Sequence, residues 1–160
     1  MSESVAVSEN VAIRISRVIK AKRPRVFDSW TRPDRMHLWF APGTMIVPYA
    51  TVDLRIGGEY RIEMRNDAAP SLIVSGVYRQ IVPNELLSFT WQWENLPGGE
   101  SLVTVEFKDV EGGTEVLLTH EGLPNEESRQ KHQQGWMGCL ANLARLHDPN
   151  AETEAYNGSQ

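Results

Sequence analysis

The sequence contains a single cysteine, Cys139, so it has no intramolecular disulfide, and no Cys/His group has the spacing of zinc ligands. The expectation is a reduced, cytoplasmic setting, with no metal and no cofactor. No run approaches the ~18 consecutive apolar residues of a membrane-spanning helix. The opening stretch MSESVAVSEN lacks the basic segment and apolar block of a secretory signal. Positive charge is in deficit, with 16 Lys and Arg against 21 Asp and Glu and a net charge of −5. Because affinity for nucleic acid rests on clustered cations that release counterions, no nucleic-acid partner is expected. The local exception is Arg14, Arg17, Lys20, Lys22, Arg23 and Arg25, which straddle a strand-like run and a turn and read as a solvated basic edge. Phosphate loops, dinucleotide fingerprints, H-E-x-x-H and the nucleophile elbow are all missing. With no Gly/Ser linker and no repeat, one domain is expected over 11–147, with flexible termini at 1–10 and 148–160.

What is present is a change of hydrophobic period. Val11, Ile13, Ile15 and Ile19 share one side of an alternating first strand. Pro24, Val26, Phe27 and Trp30 then suit a short buried helix, and Pro33 to Phe40 a second one, closed by Pro42-Gly43. From residue 44 the period becomes 2, predicting strands over 44–54, 59–65, 72–82, 86–94, 101–109 and 114–121. Gly57-Gly58, Asn66-Asp67, Pro83-Asn84, Pro97-Gly98-Gly99 and Gly112-Gly113 separate them as hairpin turns. Trp136, Cys139, Leu140, Leu143 and Leu146 recur at helical spacing after an Asn125 N-cap, giving one long amphipathic helix that ends before Pro149. The fold class is therefore α+β: a seven-stranded antiparallel sheet whose apolar face is covered by the last helix.

Five of the thirteen aromatic residues are tryptophans. Leu87, Phe89, Trp91 and Trp93 line one face of a strand, and Tyr60, Ile62 and Met64 line one face of another. One helix stripe is narrow beside a curved seven-stranded sheet, so two outcomes stand side by side: a ligand cavity walled by aromatics, or a core filled by the same side chains.

Several blocks carry a resemblance. Val52-Asp53-Leu54-Arg55-Ile56-Gly57-Gly58-Glu59-Tyr60 resembles the D-x-R-x-G-G strand-turn-strand motif of the heat-shock protein 90 ATPase activator homologue family. Gly76-Val77-Tyr78, Leu87-Ser88-Phe89-Thr90-Trp91, Val103-Thr104-Val105-Glu106-Phe107, Thr114-Glu115-Val116, Thr119-His120-Glu121-Gly122 and His132-Gln133-Gln134-Gly135-Trp136 are similar to its later blocks, in the same order. Trp39 and Arg17 also fall at positions the family marks. The resemblance implies the helix-grip fold of the START and birch-pollen-allergen superfamily, whose members enclose a cavity for lipids or other apolar molecules. Some of those relatives use the cavity as an active site.

On this basis the expected function is binding of a small hydrophobic or amphipathic molecule between the sheet and the last helix, without catalysis. The expected lining is Trp39, Phe40, Tyr60, Met64, Tyr78, Phe89, Trp91, Phe107, His120, Trp136 and Leu140. Arg17, on the apolar side of its strand, either pairs with a carboxylate such as Asp53 or Glu121, escapes to solvent at the strand end, or anchors an anionic ligand group. His120 and His132 read as packing or hydrogen-bonding residues, while His37 and His147 are expected at the surface. Gly76 and Gly135, inside regular elements, each require either close packing or room for a ligand. The alternatives are a chaperone-associated interaction protein of the stress response and, third, a cyclase or hydrolase working in the cavity. A homodimer is a further option.

Overall fold

The computed structural model describes residues 12–67, 69–96 and 98–148. The termini expected to be flexible lie outside these residues, apart from Asp148. Seven strands form one antiparallel sheet: β1 (Ala12–Ile19), β2 (Ile46–Val52), β3 (Glu59–Asn66), β4 (Ala69–Val82), β5 (Leu86–Trp93), β6 (Ser101–Val110) and β7 (Gly113–Glu121). Their spatial order is β1-β7-β6-β5-β4-β3-β2, so every consecutive pair from β2 to β7 is a hairpin and only β1 arrives from across the fold. Two short helices, α1 (Arg23–Thr31) and α2 (Pro33–Met36), follow β1, and α3 (Glu126–Leu146) ends the domain. This is the helix-grip arrangement, and it confirms the α+β reading.

Alternation places the core. Tyr60, Ile62 and Met64 of β3, Leu87, Phe89 and Trp91 of β5, Val103, Val105 and Phe107 of β6, and Val116, Leu118 and His120 of β7 are buried on the face turned to the helices. Trp136, Cys139, Leu140 and Leu143 of α3 close over them, together with Val26, Phe27 and Trp30 of α1. The Asn125 side chain accepts from the Ser128 backbone N–H at 2.8 Å, and Glu126 and Glu127 occupy the positive first turn of α3.

Two local features depart from simple periodicity. The second helix is regular only to Met36, and residues 37–40 continue as tight turns. There the Trp39 indole donates to the Ser29 carbonyl at 2.9 Å, tying the turn to α1. Gly76 is required by close approach: a Cβ there would lie 1.9 Å from the Thr90 carbonyl oxygen and 2.7 Å from the Tyr60 ring. That absence of a side chain lets Tyr60 lie across β4 and donate from its hydroxyl to the Thr90 carbonyl at 2.5 Å.

Candidate functional site

The space expected between sheet and helix is filled at its centre. The void among Trp30, Met36, Phe40, Tyr60, Ile62, Tyr78 and Phe89 has a volume of about 10 Å³, room for no more than one water molecule. Rings fill the rest: Trp30 meets Trp39 edge-on at 4.6 Å and Phe40 at 5.8 Å, and Tyr60 meets Phe89 at 5.3 Å. Burial drives the hydroxyl pKa values of Tyr60 and Tyr78 above the ordinary tyrosine value, so neither ionises near neutrality. The single cavity expected from the sequence is therefore a packed aromatic core at this end.

Beyond that core lies a polar network built on two tryptophan–histidine pairs. The Trp136 indole N–H donates to Nδ1 of His120 at 2.9 Å. An indole nitrogen only donates, so His120 Nδ1 must accept and the ring proton sits on Nε2. Nε2 in turn donates to Ser101 Oγ at 2.7 Å, and the Ser101 hydroxyl donates onward to the Trp91 carbonyl at 3.3 Å. Trp93 repeats the device, its indole donating to Nε2 of His132 at 2.9 Å while His132 Nδ1 donates to the Ser128 carbonyl at 2.8 Å. The two imidazoles stand 5.2 Å apart, edge to face. Burial, aided by the neighbouring His132, pushes the His120 pKa down to about 3, and burial lowers that of His132.

The chemical consequence is specific. A serine–histidine pair acts in nucleophilic catalysis only when the imidazole accepts the hydroxyl proton. Trp136 holds His120 in the opposite tautomer, donating to Ser101, so this pair does not activate its hydroxyl. Burial raises the Cys139 thiol to about 12, which keeps it protonated and unreactive. Among the described residues, no three His, Cys, Asp or Glu side chains gather as metal ligands.

Two other spaces open at the edges of this core. A pocket of about 70 Å³ is lined by Pro42, Met45, Met64, Leu72, Trp91, Trp93, His132, Gly135, Trp136 and Cys139. An outer groove of about 320 Å³ runs between residues 37–47 and the end of α3, past Trp39, Phe40, Asn142 and Arg145.

The expected site residues thus divide. Phe40, Tyr60, Tyr78 and Phe89 enclose the closed centre, Met64, Trp91 and Trp136 wall the smaller pocket, and Trp39 backs the outer groove. Phe107 packs on Phe27 and Trp30, Leu140 is buried, and His120 is held in its network. Arg17 is exposed on the edge strand β1, away from all of these spaces, and makes no ion pair with a described residue. Of the three readings for that residue, the structure shows escape to solvent. His37 is exposed as expected, but His147 is buried because the Ser29 hydroxyl, 2.8 Å from its Nε2, draws the end of α3 onto α1.

The D-x-R-x-G-G run forms the tip between β2 and β3. The Arg55 guanidinium meets the Asp53 carboxylate at 2.9 Å, and the Gly58 N–H donates to the Arg55 carbonyl at 2.8 Å. The Gly57 N–H donates to the Tyr78 carbonyl at 2.9 Å, which pins the tip to β4. Gly57 adopts φ +85°, and a Cβ on Gly58 would fall 2.0 Å from the Asp53 carbonyl, so both glycines are demanded by the turn. The tip presents Leu54 and Ile56 to solvent, 42% and 67% exposed.

Comparison with known proteins agrees with this architecture. Residues 20–148 match the family described as Activator of Hsp90 ATPase homolog 1-like protein. The human activator of 90 kDa heat shock protein ATPase homolog 1 is 25% identical over 111 residues, covering 66% of this chain and 30% of the human protein; its mouse counterpart is 23% identical over the same coverage. The chain thus covers under a third of the length of these curated relatives. A crystal structure from Chromobacterium violaceum superimposes with a TM-score of 0.79 at 26% identity, covering 86% of this chain and 97% of that one. The AHSA1 protein of Silicibacter pomeroyi gives 0.75 at 25% identity, covering 83% and 94%. On the match over residues 20–148, this chain belongs to the Activator of Hsp90 ATPase homolog 1-like family.

Proposed function

We propose that this domain is an interaction module for a chaperone of the 90 kDa heat-shock class. The observation that carries the reading is the family match over residues 20–148, whose curated relatives are named as activators of that chaperone's ATPase. Two features support it. The centre of the grip is filled by side chains, which removes the large ligand cavity that a carrier would use. The Ser101–His120 pair is held in a tautomer unsuited to nucleophilic chemistry.

The tip between β2 and β3 is the contact surface in this proposal. Rigid presentation of two aliphatic side chains lowers the ordering cost of association. Leu54 and Ile56 meet that requirement, because the Asp53–Arg55 ion pair and the backbone bonds to Tyr78 fix the turn before any partner arrives. The test is the ATPase rate of the chaperone from the same organism, with and without saturating domain, alongside co-sedimentation of the two proteins. Co-sedimentation with a changed ATPase rate supports the proposal. Absence of both refutes it.

A further inference from the structure

We propose that a hollow on the outer face of the sheet, opposite the helices, is a binding site for a basic α-amino acid. Leu87 and Phe89 of β5 are buried on the helix side, so Ser88 and Thr90, which alternate with them, belong to the outer face. The outer face of an antiparallel sheet is normally wet. Ser88 and Thr90 are nonetheless 2% and 4% exposed, and they floor a hollow of about 580 Å³ that opens to solvent. Its rim is formed by Arg79 and Gln80 on one side and by Glu100 and Glu121 on the other. A bulge builds the first side: Tyr78 faces Phe89 and Gln80 faces Ser88, so Arg79 is the extra residue of β4.

Floor and rim both hold unused binding capacity. The Thr90 hydroxyl oxygen accepts from the Val77 N–H at 2.8 Å, but the Ser88 hydroxyl has no hydrogen-bond partner among the described residues. The partnerless indole N–H groups of Trp30 and Trp91 are sealed from solvent, whereas the Ser88 oxygen is not, and the surface it shows lies in the hollow. Buried hydroxyls almost always find a partner, so a ligand group bonded to Ser88 completes the floor. Arg79, Glu100 and Glu121 make no ion pair with a described residue.

The placement of charge selects the ligand. Thr90 pairs with Leu102 and Leu102 with Glu121, so the hollow spans β4 to β7. Glu100 comes two residues before Leu102 and stands at the same end as Glu121. Three strand spacings, about 14 Å, separate Arg79 from Glu121. Side chains stand roughly upright on a sheet, so after two hydrogen-bond lengths of about 3 Å a molecule lying between them carries its own charges about 8 Å apart. That separation excludes amino acids whose only charges are the adjacent α-ammonium and α-carboxylate. An extended lysine or arginine meets it, with its carboxylate on the Arg79 guanidinium and its side-chain cation between Glu100 and Glu121. The α-ammonium then falls over Ser88, which neighbours Arg79 through its pairing with Gln80.

The experiment titrates the ¹⁵N-labelled full chain, at neutral pH and low salt, with three compounds. Lysine carries all three groups, cadaverine lacks the carboxylate, and ε-aminocaproate lacks the α-ammonium. Lysine should move the backbone resonances of Arg79, Ser88 and Glu121 saturably, with a Kd of about 5 mM or tighter, the range for about ten heavy atoms at modest ligand efficiency. Cadaverine and ε-aminocaproate should each bind about 3- to 10-fold more weakly, the value of one hydrogen bond. Arg79→Gln should erase the preference for lysine over cadaverine, and Ser88→Ala the preference over ε-aminocaproate. Glu100→Gln/Glu121→Gln should weaken lysine about fivefold or more. Absence of a saturable shift, equal affinity for the three compounds in the native protein, or preferences that survive Arg79→Gln and Ser88→Ala overturn the proposal. If Ser88→Ala fails to fold, the variants of the exposed Arg79, Glu100 and Glu121 decide it.

Discussion

The Trp136 indole N–H and His120 Nδ1, 2.9 Å apart, fix which nitrogen of a buried imidazole carries the proton. From that bond follow the direction of the Ser101 contact and the neutrality of His120. Replacing Trp136 by Phe leaves Nδ1 buried without a donor, and should cost about 1–3 kcal/mol of stability. Chemical denaturation measures the loss. Imidazole ¹⁵N shifts should show His120 purely in the Nε2–H form in the native protein, and a mixed tautomer only in the variant.

Acid should destabilise the fold through its histidines. Native His120 takes up a proton only near pH 3, whereas an unfolded histidine does so near 6.5. Between those values the unfolded chain binds more protons, so lowering the pH favours unfolding; above about pH 7 both states are neutral and the term vanishes. His132 and His147 shift in the same direction. Stability should be flat above about pH 7 and fall below about pH 6.5 by up to ~1.4 kcal/mol per pH unit from His120, with His132 and His147 adding to the fall in the same direction. Glu63, Glu94 and Glu126 have lowered pKa values, so their losses begin at lower pH. Urea titrations at pH 7, 6 and 5 read the effect. His120→Gln should be less stable at pH 7 and yet decline less steeply.

Three glycines should respond differently to alanine. Gly135→Ala meets open space and gains helix propensity, raising stability by up to about 1 kcal/mol. Gly138→Ala brings its Cβ to 3.0 Å from Pro42, which offsets the same helix gain, so this variant should be less stable than Gly135→Ala. Gly76→Ala sets a methyl carbon 1.9 Å from the Thr90 carbonyl, which β4 and β5 must separate to relieve, at a cost above about 3 kcal/mol. Thermal melts of the three variants order them.

The hairpin turns and the period-2 runs made the sheet legible, because Gly57-Gly58 and Gly112-Gly113 punctuate alternation that survives into the observed register. The family motif at 52–60 was equally plain in the sequence. The site was not. Whether the aromatic faces leave a cavity depends on how ring volumes interlock, and Trp30, Phe40 and Tyr60 fill the centre through contacts that no spacing records. The partners of His120 were hidden for a different reason. Ser101 lies two residues from Val103, which pairs with His120, so it becomes a neighbour only once the β6–β7 register is known. Trp136 arrives from the last helix. His147 was expected at the surface because helix ends are normally wet, and a single hydroxyl, that of Ser29, reverses this.

In the proposed function, the β2–β3 tip engages a chaperone. Isothermal titration of the domain into the 90 kDa heat-shock chaperone of its own organism tests it most directly, with Leu54→Asp/Ile56→Asp as the paired variant. Both side chains are exposed, so the variant should keep the native melting temperature. The native domain should bind with a Kd of about 1–10 μM, weakened at least tenfold by the double substitution. Equal heats from the two proteins, or no heat from either, would contradict it.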